Sequence, residues 1–282
     1  MSIGSSNISG GFSPSSTYLF VDGANFRRYF DESTQVWFKS SVEFDFGKIK
    51  ETFKAGKVFY YDCIDDLRAD NESQKSVEER VHLKENSLNQ IREISGCHIH
   101  LGTLSGTGKK KRQKEVDVLL AVQMMEHAVR GNMQKAILLS GDKDFRPLVE
   151  SLVRLGLYVG VAGDKSHISR ELIHSADGHK KLTFSNYYEW VLDEMRSSKP
   201  LQIDTHSLNL PLDHFSNQSG FWLEEKGQLL GKEVFLFAKS DSSHYLVSPD
   251  LFGDLIRSSK QKDQLKTWVE LEHGKVVWEL SK

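Results

Sequence analysis

The stretch AILLSGDKDFRPLVESLVRLGLYVGVAGD, residues 136–164, decides how the chain is read. It opens on a four-residue apolar run, 136–139, that ends in Ser140-Gly141-Asp142. A second run, 157–161, ends in Ala162-Gly163-Asp164. Runs this short, closed by glycine and aspartate, read as buried parallel strands. Between them, 145–155 reads as a helix, with Pro147 in the first turn, where its missing N–H is tolerated. The stretch is therefore a strand, a helix and a second strand.

Working outward, the same pattern repeats. Residues 18–21 form an apolar run ending at Asp22, 57–61 a second ending at Asp62, and 97–101 a weaker third. Helical segments are expected at 74–94, at 168–176 and at 116–129, where Val118, Leu119, Val122, Met125 and Ala128 recur close to the helical period. Alternating strands and helices to about residue 176 predict a doubly wound α/β parallel sheet. One more helix is expected at 185–196. Residues 197–212 are polar with two prolines and read as a linker. Beyond it, strands are expected at 234–238, 245–247, 267–271 and 275–280, the last two flanking a His273-Gly274 turn, with a helix at 250–259. The predicted organisation is a Ser/Gly-rich disordered tail (1–16), an α/β domain (17–196), a linker (197–212) and a smaller α+β or β-rich C-terminal domain (213–282).

Composition narrows the function classes. The chain has 282 residues, 38% hydrophobic and 27% charged, which suits a large domain with a small one. No apolar run approaches the ~20 residues of a membrane helix, and the tail lacks the apolar core of a signal peptide. Cys63 and Cys97 lack metal-type spacing and read as free thiols in a reducing compartment, so a cytoplasmic location is expected. Net charge is -2. A protein that coats nucleic acid is usually strongly basic, so any nucleic-acid contact here rests on a local patch.

The aspartates carry the chemistry. In an open parallel sheet, ligands bind beyond the carboxyl ends of the strands, where strand order reverses. Asp22 ends the first strand and Asp142 follows the fourth. In a 3-2-1-4-5 order these strands are neighbours across the reversal. Asp144 is two residues on, and Asp117 begins the helix that leads to the fourth strand. Two like charges ~5 Å apart repel by roughly 3 kcal/mol at an effective dielectric of 20. Such a group takes up protons or a cation. Oxygen-only donors select a hard ion, Mg²⁺ or Mn²⁺, which suits phosphodiester hydrolysis by in-line water attack. Each aspartate also has an ordinary reading as a turn or helix cap, and Asp144 fits that reading as well as a metal contact. The joint argument depends on the topology.

Three motifs in order, VDGANF (21–26), KEVDVLLAVQMM (114–125) and LLSGDKDFRPLVESLVRLGLYVGVAG (138–163), resemble the NYN domains, in particular the LabA-like group of the PIN-like nuclease superfamily. FYYD (59–62) and ELIHSAD (171–177) fit the same pattern, and the resemblance spans about residues 17–184. It implies a PIN-like sheet of order 3-2-1-4-5 and Mg²⁺- or Mn²⁺-dependent ribonuclease activity. Position by position, it makes Asp22, Asp117, Asp142 and Asp144 the metal ligands. Asn25 orients water or phosphate, and Ser140 is the small hydroxyl residue beside the metal. The chain departs from the pattern at Gln123, where many LabA-like members have an acid; six residues from Asp117, it falls on another helix face.

Substrate contacts are expected from the basic run in GTLSGTGKKKRQK (102–114), through Lys109, Lys110, Lys111 and Arg112, which would hold phosphates rather than read bases. Arg27, Arg28 and Arg146 are further candidates. Each also reads as solvated surface charge. His98 and His100 alternate on a strand and share a face; neither they nor His167, His174 and His179 are expected to act in catalysis. Rival folds fit less well. A Rossmann enzyme needs G-x-G-x-x-G, a haloacid-dehalogenase-type phosphatase needs an acid where Ala24 stands, and a Toprim-type site wants a glutamate at Asp22. A rival of another class is a non-catalytic RNA-binding or scaffold protein on the same fold. RNA is the expected partner, no membrane is expected, and a homodimer or a protein partner of the C-terminal domain are open alternatives.

Overall fold

The computed structural model describes residues 17–66, 68, 72–105, 112–199, 201, 206–208, 214–217, 220–249 and 255–279. The expected tail, much of the expected linker, and Lys109, Lys110 and Lys111 lie outside the described residues. The chain divides into two compact units. The first comprises residues up to Glu32, Glu43–Thr183 and Trp190–Leu192. The second comprises Ser33–Val42, Phe184–Glu189 and Asp193–Lys282.

The first unit is built on the predicted alternation. In chain order come β1 (Thr17–Asp22), α1 (Gly23–Phe38), α2 (Phe46–Thr52), β2 (Lys57–Cys63), α3 (Gln74–Arg92), β3 (Cys97–Ser105), β4 (Arg112–Lys114), α4 (Val116–Val129), β5 (Lys135–Leu139), α5 (Arg146–Arg154), β6 (Tyr158–Asp164), α6 (Arg170–Ser175) and β7 (Gly178–Leu182). The sheet order is β4-β3-β2-β1-β5-β6-β7. The five expected strands thus stand in the expected 3-2-1-4-5 order. β7 extends the parallel sheet on one side, and β4 adds an antiparallel strand on the other. β4 corrects one expectation. The segment 102–114, read as a loop, is partly a hairpin: β3 runs past its last pairing with β2 at Gly102 and folds back, pairing Thr103 with Lys114.

β1 is central and shielded on both faces, with five of its six residues buried. That is the condition under which a strand reads as a continuous apolar run. One face packs Phe20, Phe59, Leu120, Met124, Leu138, Leu152 and Val161 into a single core. Full burial of each such side chain contributes about 1.5–3 kcal/mol. On the other side, Asp45 caps α2 by accepting from the Gly47 and Lys48 amides.

The helix expected at 185–196 is two short helices, α7 (Phe184–Trp190) and α8 (Asp193–Ser198). The break falls at Val191, which pairs with Phe44 as an isolated β-bridge. In the second unit, β8 (His206–Ser207), α9 (His214–Asn217), β9 (Phe221–Leu229), β10 (Lys232–Lys239), β11 (His244–Ser248), β12 (Leu255–Ser259), α10 (Lys262–His273) and β13 (Val277–Trp278) follow. Its sheet, of order β13-β9-β10-β11-β12-β8, is antiparallel. Two assignments there are corrected. Residues 255–259 form a strand rather than the end of a helix, and 267–271 belong to a helix rather than a strand. Leu265, Trp268 and Val269 are buried at i, i+3 and i+4, so the helical period outweighed local β-propensity.

Candidate active site

The site lies at the carboxyl edge of the first unit's sheet. β1 pairs with both β2 and β5, so strand order reverses there. Val21 is level with Leu139, which brings Asp22 opposite Ser140. β1 then runs into α1 without a loop. Asp22 Oδ1 accepts from the Asn25 amide at 3.1 Å, in the manner of a helix cap. Its other oxygen accepts from Ser140 Oγ at 2.9 Å. Ser140 Oγ in turn accepts from the Asp142 amide at 3.2 Å. Asn25 Oδ1 accepts from the Gly141 amide at 3.1 Å, tying the start of α1 to the turn after β5. Asp142 caps the turn that follows, accepting from the Asp144 amide at 2.9 Å.

Burial and charge divide the four aspartates. Asp22 is only 6% exposed, while Asp117, Asp142 and Asp144 face solvent. Burial pushes the Asp22 carboxyl up to about 6, and the negative charges of Asp117 and Asp142 add to that rise. Hydrogen bonds from Asn25 and Ser140 oppose it. Asp117 is raised by burial, then by Asp142 and Asp144. All four expected carboxylates therefore share one field. They are not, however, a closed cage: among the described residues no three His, Cys, Asp or Glu side chains gather closely enough to hold a metal ion. The donors fit a hard divalent cation in chemistry, being carboxylates without thiol or imidazole. A buried acid that resists ionisation beside like charges is also what a cation would relieve.

Other expected residues are placed differently. Ser140 is 1% exposed and its hydroxyl bridges Asp22 and Asp142, so it sits behind the carboxylates. Arg27 is engaged by Glu43 in a forked pair at 2.9 Å and lies over the Phe44 ring at 4.9 Å. Arg28 pairs with Glu32 and Arg146 with Glu150. Arg112 begins β4, and its side chain lies outside the described ones. Gln123 is engaged elsewhere: its Oε1 accepts from Tyr61 Oη at 2.7 Å, and its amide nitrogen lies 3.3 Å from His100 Nδ1.

Asp62 is the residue that the sequence reading passed over. It ends the FYYD run, as Asp22 ends its own, and is 3% exposed. Tyr60 Oη donates to it at 3.0 Å, and the Lys84 ammonium pairs with the same oxygen. That oxygen is so close to Gly23 that a Cβ there would lie 2.8 Å away. Asp62 with Lys84 thus flanks Asp22 on the β2 side. On the opposite side, Asp164 ends β6 and accepts from the Ser166 amide, with His167 Nδ1 at 2.9 Å; the His167 ring stacks on Tyr29 at 4.3 Å.

Residues 16–183 match the NYN domain family, and the chain belongs to it. NYN domains are PIN-like nuclease domains, in keeping with this sheet order and edge of acids. No curated protein matches the chain in sequence. Among solved structures, a protein of unknown function from Vibrio parahaemolyticus is similar over 62% of this chain and 95% of its own, at 20% identity and a TM-score of 0.43. Among the described residues no helix is long and apolar enough to cross a membrane.

Proposed function

We propose that the chain is a divalent-metal-dependent ribonuclease, of the LabA-like kind within the NYN family, that hydrolyses RNA phosphodiester bonds at the carboxyl edge of its sheet. The observation that carries this reading is the shared field of Asp22, Asp117, Asp142 and Asp144 at the reversal of strand order. Those four residues would hold Mg²⁺ or Mn²⁺. When bound, the ion supplies charge for a phosphoryl oxygen and lowers the pKa of water. The chain's own residues provide the frame. Ser140 fixes Asp22 and the Asp142 backbone together, and Asn25 holds the turn after β5 to the start of α1. With Asp22 locked from two sides, its free lone pairs keep one direction, and such preorganisation is what electrostatic catalysis needs. Asp142 and Asp144, exposed at the rim, lie where a backbone phosphate can approach. Lys109, Lys110, Lys111 and Arg112, between β3 and α4, would add phosphate contacts.

A second reading, an RNA-binding or scaffold protein without catalysis, draws on the open arrangement of the carboxylates. One experiment separates the two. Purified protein is incubated with structured and single-stranded RNA in Mn²⁺, in Mg²⁺ or in EDTA, beside Asp142→Asn. Cleavage that requires metal and falls by about 10²-fold or more in the variant is expected. RNA binding without metal-dependent cleavage selects the scaffold reading, and equal cleavage by the variant assigns the activity to a contaminant.

A further inference from the structure

A concavity lies over β5, β6 and β7 on the sheet face opposite the α4–α5–α6 core. Along β5, β6 and β7, side chains alternate between faces. Ala136, Leu138, Val159 and Val161 face the α4–α5–α6 core. The opposite face carries Lys135 level with Tyr158, then Ile137 level with Gly160 and Gly178, then Ala162 level with Lys180. Its middle row is thus two glycines beside Ile137, and the strands form the floor of a trench. The end of α2, Thr52, and the following Phe53 and Lys54 wall it, leaving a cavity of about 350 Å³. Every lining residue belongs to the first unit.

The trench has a specific chemistry. Lys135 Nζ lies 4.8 Å from the Tyr158 ring centre and Lys180 Nζ lies 5.5 Å from that of Phe53. Among the described residues neither ammonium has a carboxylate partner. Asp177, the acid before β7, is turned onto the backbone and accepts from the Val159 amide at 2.8 Å. Tyr158 is 45% exposed although it is a large ring, and its hydroxyl end reaches over Gly178, where a Cβ would come 2.5 Å from that oxygen. Aromatic faces with unneutralised ammonium groups around a concavity of a few hundred cubic ångströms suit a ligand with a flat ring and an anionic group.

We infer that this trench binds a nucleoside phosphate, its base lying against Tyr158 or Phe53 and its phosphate between Lys135 and Lys180. The strands run from this trench toward the aspartate edge, and Lys135 and Tyr158 are the first residues of theirs. The site is therefore separate from the carboxylates and independent of their activity. The same chemistry is offered by a free mononucleotide and by the phosphorylated end of an RNA strand.

The test is calorimetric titration of the full chain in EDTA with AMP, GMP, CMP and UMP, the parent nucleosides, inorganic phosphate, and a 5′-phosphorylated tetranucleotide. Saturable binding of a nucleoside phosphate, weakened about tenfold or more by Lys135→Glu with Lys180→Glu and about fivefold by Tyr158→Ala, is expected. Free mononucleotide binding identifies a small-molecule site, and tetranucleotide binding alone identifies an RNA end; either outcome supports the trench. Gly160→Val gives a second variant that fills the floor without altering charge, since a Cβ there meets only ordinary contacts at 3.8–4.0 Å. It too should abolish binding. The inference is overturned if no nucleotide or tetranucleotide binds below about 5 mM. Unchanged affinity in the charge-reversed and floor-filled chains overturns it too, as does inorganic phosphate binding as tightly as the nucleotides. None of these results bears on metal-dependent cleavage, which is read separately.

Discussion

Asp22 does two jobs. Its carboxylate caps α1 and is also the most buried of the four candidate metal-binding aspartates. Folding lifts its pKa from 3.8 to about 6. Between those values the folded chain binds the proton more tightly than the unfolded one, so this residue's contribution to stability declines as pH rises through that window. In the presence of a chelator, Asp22→Asn is expected to be more stable than the native chain by roughly 1–3 kcal/mol near pH 7.5, with the gap closing below about pH 4. Urea unfolding at both pH values checks this, and equal stability near neutrality counts against a strained buried charge. The four aspartates were legible in the sequence because each sits beside a strand end or helix start. The pairings that withdraw Arg27 and neutralise Asp62 were not. Arg27 finds Glu43 16 residues away, and Asp62 finds Lys84 22 residues away, separations that no helical or strand period links.

At the scale of elements, β3 and α4 hold a histidine group that the site does not use. His98, His100 and His127 pack round the Phe59 ring, with centroids 5.2, 6.0 and 4.6 Å from it. Burial lowers the pKa of each. Lys57 and Lys50 press on His98, its imidazole neighbours on His100, and Lys57, Arg130 and His98 on His127, where Glu126 acts the other way. The unfolded chain therefore binds these protons first, and stability is full above the usual 6.5 and lost as pH falls below it. The thermal midpoint is expected to drop on going from about pH 7.5 to 5.5, and less so in His127→Asn; parallel profiles would remove the cluster from the explanation. A second prediction concerns the junction of β1 and α1. A Cβ on Gly23 would sit 2.6 Å from the Tyr61 carbonyl oxygen, so Gly23→Ala should cost about 1–3 kcal/mol in denaturant unfolding. The parallel strands and α4 were legible because their periods are clean. α10 was misread because Thr267, Trp268 and Val269 favour strands by type, while the burial of Leu265 with Trp268 and Val269 follows the helical period.

For the whole molecule, the unit boundaries do not follow the chain. The second unit includes Ser33–Val42 and Phe184–Glu189 as well as the residues from Asp193 on. Within it, Trp37 stacks on Phe184 at 4.4 Å, Phe38 on Tyr188 at 6.1 Å, and Ser185 donates to Glu270 at 3.2 Å. Sequence order suggested a break at a polar linker, and local composition carries no trace of a unit assembled from distant segments. A chain ended after residue 196 is therefore expected to melt earlier and to bind a hydrophobic dye, even though the aspartate edge is retained. An unchanged melt with no dye binding would show the two units to be independent.

That division also sets a timetable during synthesis. Trp37 and Phe38 leave the ribosome early, and are 6% and 4% exposed once folded. Phe184 and Tyr188 are made only after nearly the whole α/β sheet has been translated, a delay on the order of ten seconds at ordinary elongation rates. In that interval two large rings await their cover, so the nascent chain passes through a sticky stage that the finished protein no longer displays.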